Sequence, residues 1–109
     1  MRIDIRPNAD WPRGSVALAK RRLEFALGRF ADRVRSTSVR LTDLNGPRGG
    51  LDKQCRVLVR LAWPKRLIVV EEVDADGPAA ISHAAARVAR AVSRAVREGG
   101  DWRVAQRGY

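Results

Sequence analysis

Between Ile81 and Arg97 the chain reads ISHAAARVARAVSRAVR, and its apolar and basic positions separate when the segment is wound at about 100° per residue. Ile81, Ala85, Val88, Val92 and Val96 fall on one side, while Arg87, Arg90, Arg94 and Arg97 fall on the other with His83 in line a turn earlier. The intervening alanines raise helix propensity without adding bulk. Asp76 or Gly77 is placed to cap this helix, Pro78 suits its first turn, and Gly99-Gly100 ends it. A second helical period starts from Ser15, read as an N-cap, and runs to about Asp32. Val16, Leu23, Leu27 and Phe30 form its apolar face, helped by Ala19 and by Val34 beyond it. Arg22, Arg29 and Arg33 share a stripe roughly a quarter to a third of a turn away. Leu18 and Phe25 are expected to be partly exposed.

Elsewhere the apolar period is two, which predicts half-buried strands. Ile3 and Ile5 oppose Arg2, Asp4 and Arg6; Val39 and Leu41 oppose Arg40 and Thr42 within a strand from Ser36 to Leu44. From Gln54 to Leu61, residues Cys55, Val57, Val59 and Leu61 point inward and Arg56, Leu58 and Arg60 outward. Trp63-Pro64-Lys65-Arg66 reverses the chain into a fourth strand from Leu67 to Val73. Trp11, in a loop with Pro7, Asn8, Asp10, Pro12 and Gly14, is expected to lid one end of the core. Residues 45 to 50, Asn-Gly-Pro-Arg-Gly-Gly, read as a mobile hairpin loop. The order β-α-β-β-β-α predicts a two-layer α+β domain, a four-stranded mixed sheet with two helices on one face and its first two strands parallel. That domain is expected to occupy residues 1–98, with 99–109 as a flexible C-terminal tail that orders on RNA. The basic stripes of the two helices would then lie side by side.

The length of 109 residues suits one such domain. Against 12 Asp and Glu stand 22 Lys and Arg, a formal net charge of +10 that favours a polyanionic partner, nucleic acid ahead of an anionic membrane. Arg is always charged and grips phosphate with two parallel hydrogen bonds. A merely solvated helix face usually alternates sign along its i, i+4 pairs, whereas the Arg87–Arg97 face has no acid before Glu98. Candidate RNA contacts are therefore Arg22, Arg29, Arg33, His83, Arg87, Arg90, Arg94 and Arg97. The lone Cys55 excludes an internal disulfide and, with no signal peptide and no membrane span, fits a cytoplasmic chain. Catalysis has little support: Cys55 should face the core and His83 the outer helix face, and no metal-ligand spacing or carboxylate pair stands out. The acids Glu71, Glu72, Asp74 and Asp76 read better as a cap and as complements of a helix N-terminus than as a cation site. The chain is expected not to be an enzyme and to need no cofactor or metal.

The strand LDKQCRVLVRLA and the stretch VDADGPAAISHAAARVARAVSRAV, together with the element order, resemble the ribosome hibernation-promoting factor and ribosome-associated translation inhibitor family. Members carry an acidic residue, then Tyr-Ala-Ala-Ile-Asp opening the second helix, followed by regularly spaced Lys and Arg. Asp76, Ala79, Ala80, Ile81, Arg87, Arg90 and Arg94 match that pattern, over a resemblance spanning residues 1 to about 98. Pro78 stands in place of the Tyr and Ser82 in place of the Asp, departures that touch docking geometry but no basic position. The resemblance implies binding to the small ribosomal subunit at its decoding centre, across the messenger and transfer RNA sites, with steric block of translation and protection of idle ribosomes under stress. By the same resemblance Arg87, Arg90 and Arg94, with Arg22 and Arg29, would hold the ribosomal RNA backbone. The expected partners are the small ribosomal subunit and its ribosomal RNA, with no membrane and no small-molecule substrate, and the chain is expected to be a monomer off the ribosome. The family's long form adds a C-terminal domain that pairs ribosomes, and this chain is expected to be the short form. Two other classes compete: a general RNA- or nucleic-acid-binding protein without a defined ribosomal site, and a partner-binding module docking through Leu18 and Phe25.

Overall fold

The computed structural model describes residues 1–8, 11–45 and 52–99. Strand β1 (Ile3–Pro7) leads through the Trp11 loop into helix α1 (Ser15–Leu27) and a 3-10 turn (Gly28–Phe30). Strands β2 (Val34–Asp43), β3 (Lys53–Leu61) and β4 (Arg66–Asp74) follow, and helix α2 (Gly77–Gly99) ends the described chain. The sheet has the order β1-β2-β3-β4, with β1 and β2 parallel and the other pairs antiparallel. This is the α+β arrangement that the period-two and period-3.6 segments predict. The hairpin loop expected at residues 45–50 lies outside the described residues from Gly46 onward, as do residues 100–109 of the expected tail.

The inward side chains of the strands and the apolar stripes of both helices close on one core. Thr37, Val39, Leu41, Cys55, Val57, Val59, Leu61 and Val70 come from the sheet. Leu23 and Leu27 come from α1, and Ile81, Val88 and Val92 from α2 with Ala80, Ala84, Ala85 and Ala95 between them. Each fully buried Leu, Ile or Val side chain contributes about 1.5–3 kcal/mol. The α2 alanines act differently: with only a methyl to place, they bring the helix backbone close to its neighbours. Val96 is half-buried at the margin of the same stripe.

The two helices run parallel. Trp11 and Pro12, just before α1, stand over Gly77, which opens α2; a β-carbon at Gly77 would lie 2.9 Å from Trp11 Cζ3. At the opposite end Ala62 N–H donates to the Arg33 carbonyl at 2.7 Å, and a β-carbon at Gly99 would lie 2.6 Å from Pro64 Cγ. Trp11 is 8% exposed, which is the lid its loop position suggests.

Helix α1 departs from the sequence reading at both ends. Its cap is Gly14, held at φ 85°, a left-handed conformation that glycine adopts without a Cβ penalty. Ser15 is the first helical residue instead; its hydroxyl and its N–H both donate to the Pro12 carbonyl, closing the entry loop. The buried stripe runs Ser15, Ala19, Leu23, Leu27, one i+4 ladder, which leaves Val16 41% exposed rather than in the core. The helix stops at Leu27, not near Asp32. From there Ala31 N–H donates to Gly28 and Arg33 N–H to Phe30, so i→i+3 bonding tightens the chain into β2 and leaves Phe30 half-buried. Strand β2 consequently starts at Val34, two residues earlier than its alternation suggested, with an irregularity between Val34 and Ser36.

Helix α2 follows its expected course. Asp76 caps it: Ala79 N–H donates to Asp76 Oδ2 at 3.2 Å, and Asp74 Oδ1 accepts from Asp76 N–H at 2.9 Å. The other two acids do other work. Glu71 accepts from Gln54 Nε2 at 2.8 Å, and Glu72 pairs with Arg87 at 3.0 Å. At the base of the β2–β3 hairpin, Lys53 Nζ lies 3.0 Å from both Asp43 and Asp52, whose hydrogen bonds, Asp52 first, hold its pKa up.

Candidate nucleic-acid interface

The α2 face opposite the core carries His83, Arg87, Arg90, Arg94 and Arg97, all exposed. They are exposed because the helix turns its Ile81–Val88–Val92 stripe fully into the sheet, which leaves the residues half a turn away no core to join. Within this face the arginines are not equivalent. Arg87 reaches sideways to β4, where it donates to the Glu71 carbonyl and to Glu72 Oε1, both at 3.0 Å. It is half-exposed but positioned. Near the C-terminal end Arg66 of β4 pairs with Glu98 at 2.7 Å, and Arg94 and Arg97 add weaker attraction that helps hold the Glu98 carboxyl below its usual range. Arg90 has no hydrogen-bond or ion-pair partner among the described residues. The rail read from the sequence is thus present, with Arg87 partly committed to the fold and Arg90 free.

The first-helix stripe is less regular. Of its three arginines only Arg22 lies on α1. Arg29 belongs to the 3-10 turn, with its guanidinium carbon 4.6 Å from the centre of the Phe30 ring, a cation–π contact that orients it. Arg33 lies past that turn, half-buried, with interactions of its own in the fold, so it does not continue a helical stripe. The reason is the early end of α1: beyond Leu27 the rotation per residue changes and a 100° projection no longer applies. Leu18 is half-buried against the core, whereas Phe25 is 92% exposed.

Cys55 lies buried in β3, and burial pushes its thiol up to about 12, while His83 stands exposed on α2. The two are not a nucleophile–base pair. No helix among the described residues is long and apolar enough to cross a membrane.

One basic feature is invisible to helical projection. On the sheet face away from the helices, register sets Arg6 of β1 beside Arg40 of β2, Arg40 beside Arg56 of β3, and Arg56 beside Glu71 of β4. Each arginine sits at an ordinary outward position of its own strand. Only the pairing register brings them into one row.

No family profile and no curated protein matches the chain. Solved structures do. The Thermus thermophilus Protein Y N-terminal domain superposes with a TM-score of 0.63 at 28% identity, over 85% of this chain and 93% of that one. A ribosomal subunit interface protein from Coxiella burnetii superposes with a TM-score of 0.66 at 15% identity, over 86% of this chain and 96% of that one, a likeness of fold. The resemblance carried by the α2 motif and the β3 strand therefore has its counterpart in three dimensions: both of these solved structures are of the hibernation-promoting factor family.

Proposed function

We propose that this chain is a ribosome-associated translation inhibitor, a hibernation factor that binds the small subunit at the decoding centre and blocks translation by occupying space. The observation that carries the reading is the exposed arginine face of α2 on a fold shared with the Protein Y N-terminal domain. In this reading Arg90, Arg94 and Arg97 grip the phosphate backbone of ribosomal RNA, with Arg22 and Arg29 beside α1. Arg87, already tied to β4, fixes the helix against the sheet and offers its free edge. His83 adds a contact at the helix start. No reaction is needed; occupancy is the mechanism. Off the ribosome the chain is a monomer, and residues 1–98 form the ribosome-binding unit.

The test compares two charge reversals of equal size. Arg90→Glu with Arg94→Glu alters the helix face, and Arg56→Glu with Arg60→Glu alters the open sheet face. Exposed arginines contribute little to folding, so circular dichroism should show both variants folded. The first should lose co-sedimentation with small subunits and inhibition of cell-free translation, while the second keeps most of both. Equal loss in the two would mean that long-range charge alone drives binding, which is the general nucleic-acid reading. Unsaturable binding to any RNA would favour that reading too.

A further inference from the structure

We propose that the open face of the sheet is a second nucleic-acid site, which takes a single strand with its phosphates on Arg6, Arg40 and Arg56 and its bases on Leu58, Val69 and Leu67. The site lies across the domain from the α2 rail and goes beyond the helix-face reading.

The row itself is the first argument. Side chains directly opposite on neighbouring strands have β-carbons about 4.5–5.5 Å apart, and like charges so placed destabilise a sheet. Here Arg6, Arg40 and Arg56 are successive neighbours across β1, β2 and β3. Among the described residues Arg40 and Arg56 have no hydrogen-bond or ion-pair partner, and Arg6 has only exposed Asp4, at 3.3 Å. Glu71, at the end of the row, is held by Gln54. A bound polyanion would remove the repulsion that the fold itself leaves standing.

The neighbouring row is the second argument. One step along the strands, Ser38, Leu58 and Val69 are register partners, and a further step brings Arg60 beside Leu67. Leu67 is 53% exposed and Val69 42%, so β4 presents an apolar shelf immediately beside the arginines. Asp4, Arg6, Ser38, Arg40, Arg56 and Leu58 line a shallow concavity of about 350 Å³ where the two rows meet, its one carboxylate, Asp4, lying against Arg6 at 3.3 Å. Three strands at about 4.8 Å spacing make a charged track about 10 Å wide. An unpaired strand offers phosphates and base faces together within that width, whereas a duplex hides its bases in the stack. The planar guanidinium fork matches phosphate oxygens, and apolar contact with a base face is tolerant of sequence. The predicted ligand is therefore unstructured RNA or DNA bound with little sequence preference.

The probe is a fluorescein-labelled oligouridine of about 12 nucleotides, within the usual site size of one small binding domain, titrated with the full chain and followed by anisotropy. The variant is Arg40→Glu, which sets a carboxylate between Arg6 and Arg56 and should melt no lower than the parent because it replaces repulsion with attraction. It should bind the oligomer at least about tenfold more weakly, since a track of three cations becomes two cations around an anion. Arg21→Glu, the same charge change at an exposed position of α1 outside the proposed contacts, should weaken the oligomer less than about threefold through long-range attraction alone. Arg56→Gln, which only neutralises, should fall between. The proposal is overturned if Arg40→Glu binds like the parent, if Arg40→Glu and Arg21→Glu weaken binding equally, or if a hairpin duplex or a polyglutamate peptide binds as tightly as oligouridine. Failure of the helix-face reading is seen elsewhere, in small-subunit sedimentation of the Arg90→Glu with Arg94→Glu variant, so the two are judged separately.

Discussion

Salt dependence gives the sharpest test of the proposed arginine contacts with the ribosome. Five of the candidate contact arginines are exposed and not locked into a short ion pair: Arg22, Arg29, Arg90, Arg94 and Arg97. Each phosphate neutralised contributes about 0.7 to 0.9 to the slope of log affinity against log salt, so five contacts imply a slope of about −4. A fourfold rise in salt should then lower affinity about 250-fold. Arg90→Glu with Arg94→Glu leaves three contacts, a slope of about −2.4 and a loss of only about 30-fold over the same range. Its affinity at low salt should be far lower as well, because two carboxylates now face the phosphates. The assay is anisotropy of dye-labelled protein titrated with purified small subunits at several salt concentrations, with each slope taken from saturable curves. A slope in the double variant equal to the parent's, or a parent slope shallower than about −1, would refute the assignment of phosphate contacts to α2.

Two further predictions concern the fold. With the thiol pushed up to about 12 by burial, Cys55 should resist a thiol reagent in native protein near pH ~8.5, where an ordinary cysteine is half ionised, and react at once in denaturant; rapid native labelling would place the thiol outside the core. Gly77→Ala would set a β-carbon 2.9 Å from Trp11 Cζ3, on a ring held at 8% exposure, and should cost about 1–3 kcal/mol by urea denaturation, with an unchanged midpoint as the contrary result.

The sequence was most informative where one period persisted. Helix α2 keeps a 100° repeat for six turns, with no glycine or proline inside it between the first turn and its last residue and an aspartate at its cap, so its apolar stripe and arginine rail are legible in the sequence. Strand β3 alternates without a fault. Helix α1 departs from its period where local chemistry overrides it: a left-handed Gly14 takes the cap from Ser15, and tightening at Gly28 moves Arg29 and Arg33 off the helical projection. The loss of Val16 from the core follows from the same shift toward the Ser15–Ala19–Leu23–Leu27 ladder. What could not be drawn was anything dependent on strand register. Arg6, Arg40 and Arg56 lie in three separate strands, and alternation assigns each to the outward face without saying which stand abreast.

The placement of acids explains why the positive surfaces remain open. The described aspartates and glutamates are largely engaged by the fold: Asp43 and Asp52 on Lys53, Glu71 on Gln54, Glu72 on Arg87, Glu98 on Arg66, and Asp74 and Asp76 at the start of α2. None of these contacts covers Arg90 on the helix layer or Arg40 and Arg56 on the sheet. Much of the positive charge on the described residues therefore stands on two uncovered faces, on opposite sides of one core. Diffuse charge would steer the chain toward any polyanion without orienting it. Two separate arginine faces of different shape, one a helical rail and one a narrow row beside an apolar shelf, can orient it. If the domain meets ribosomal RNA through α2, as proposed, its sheet is still presented to whatever strand lies on the other side.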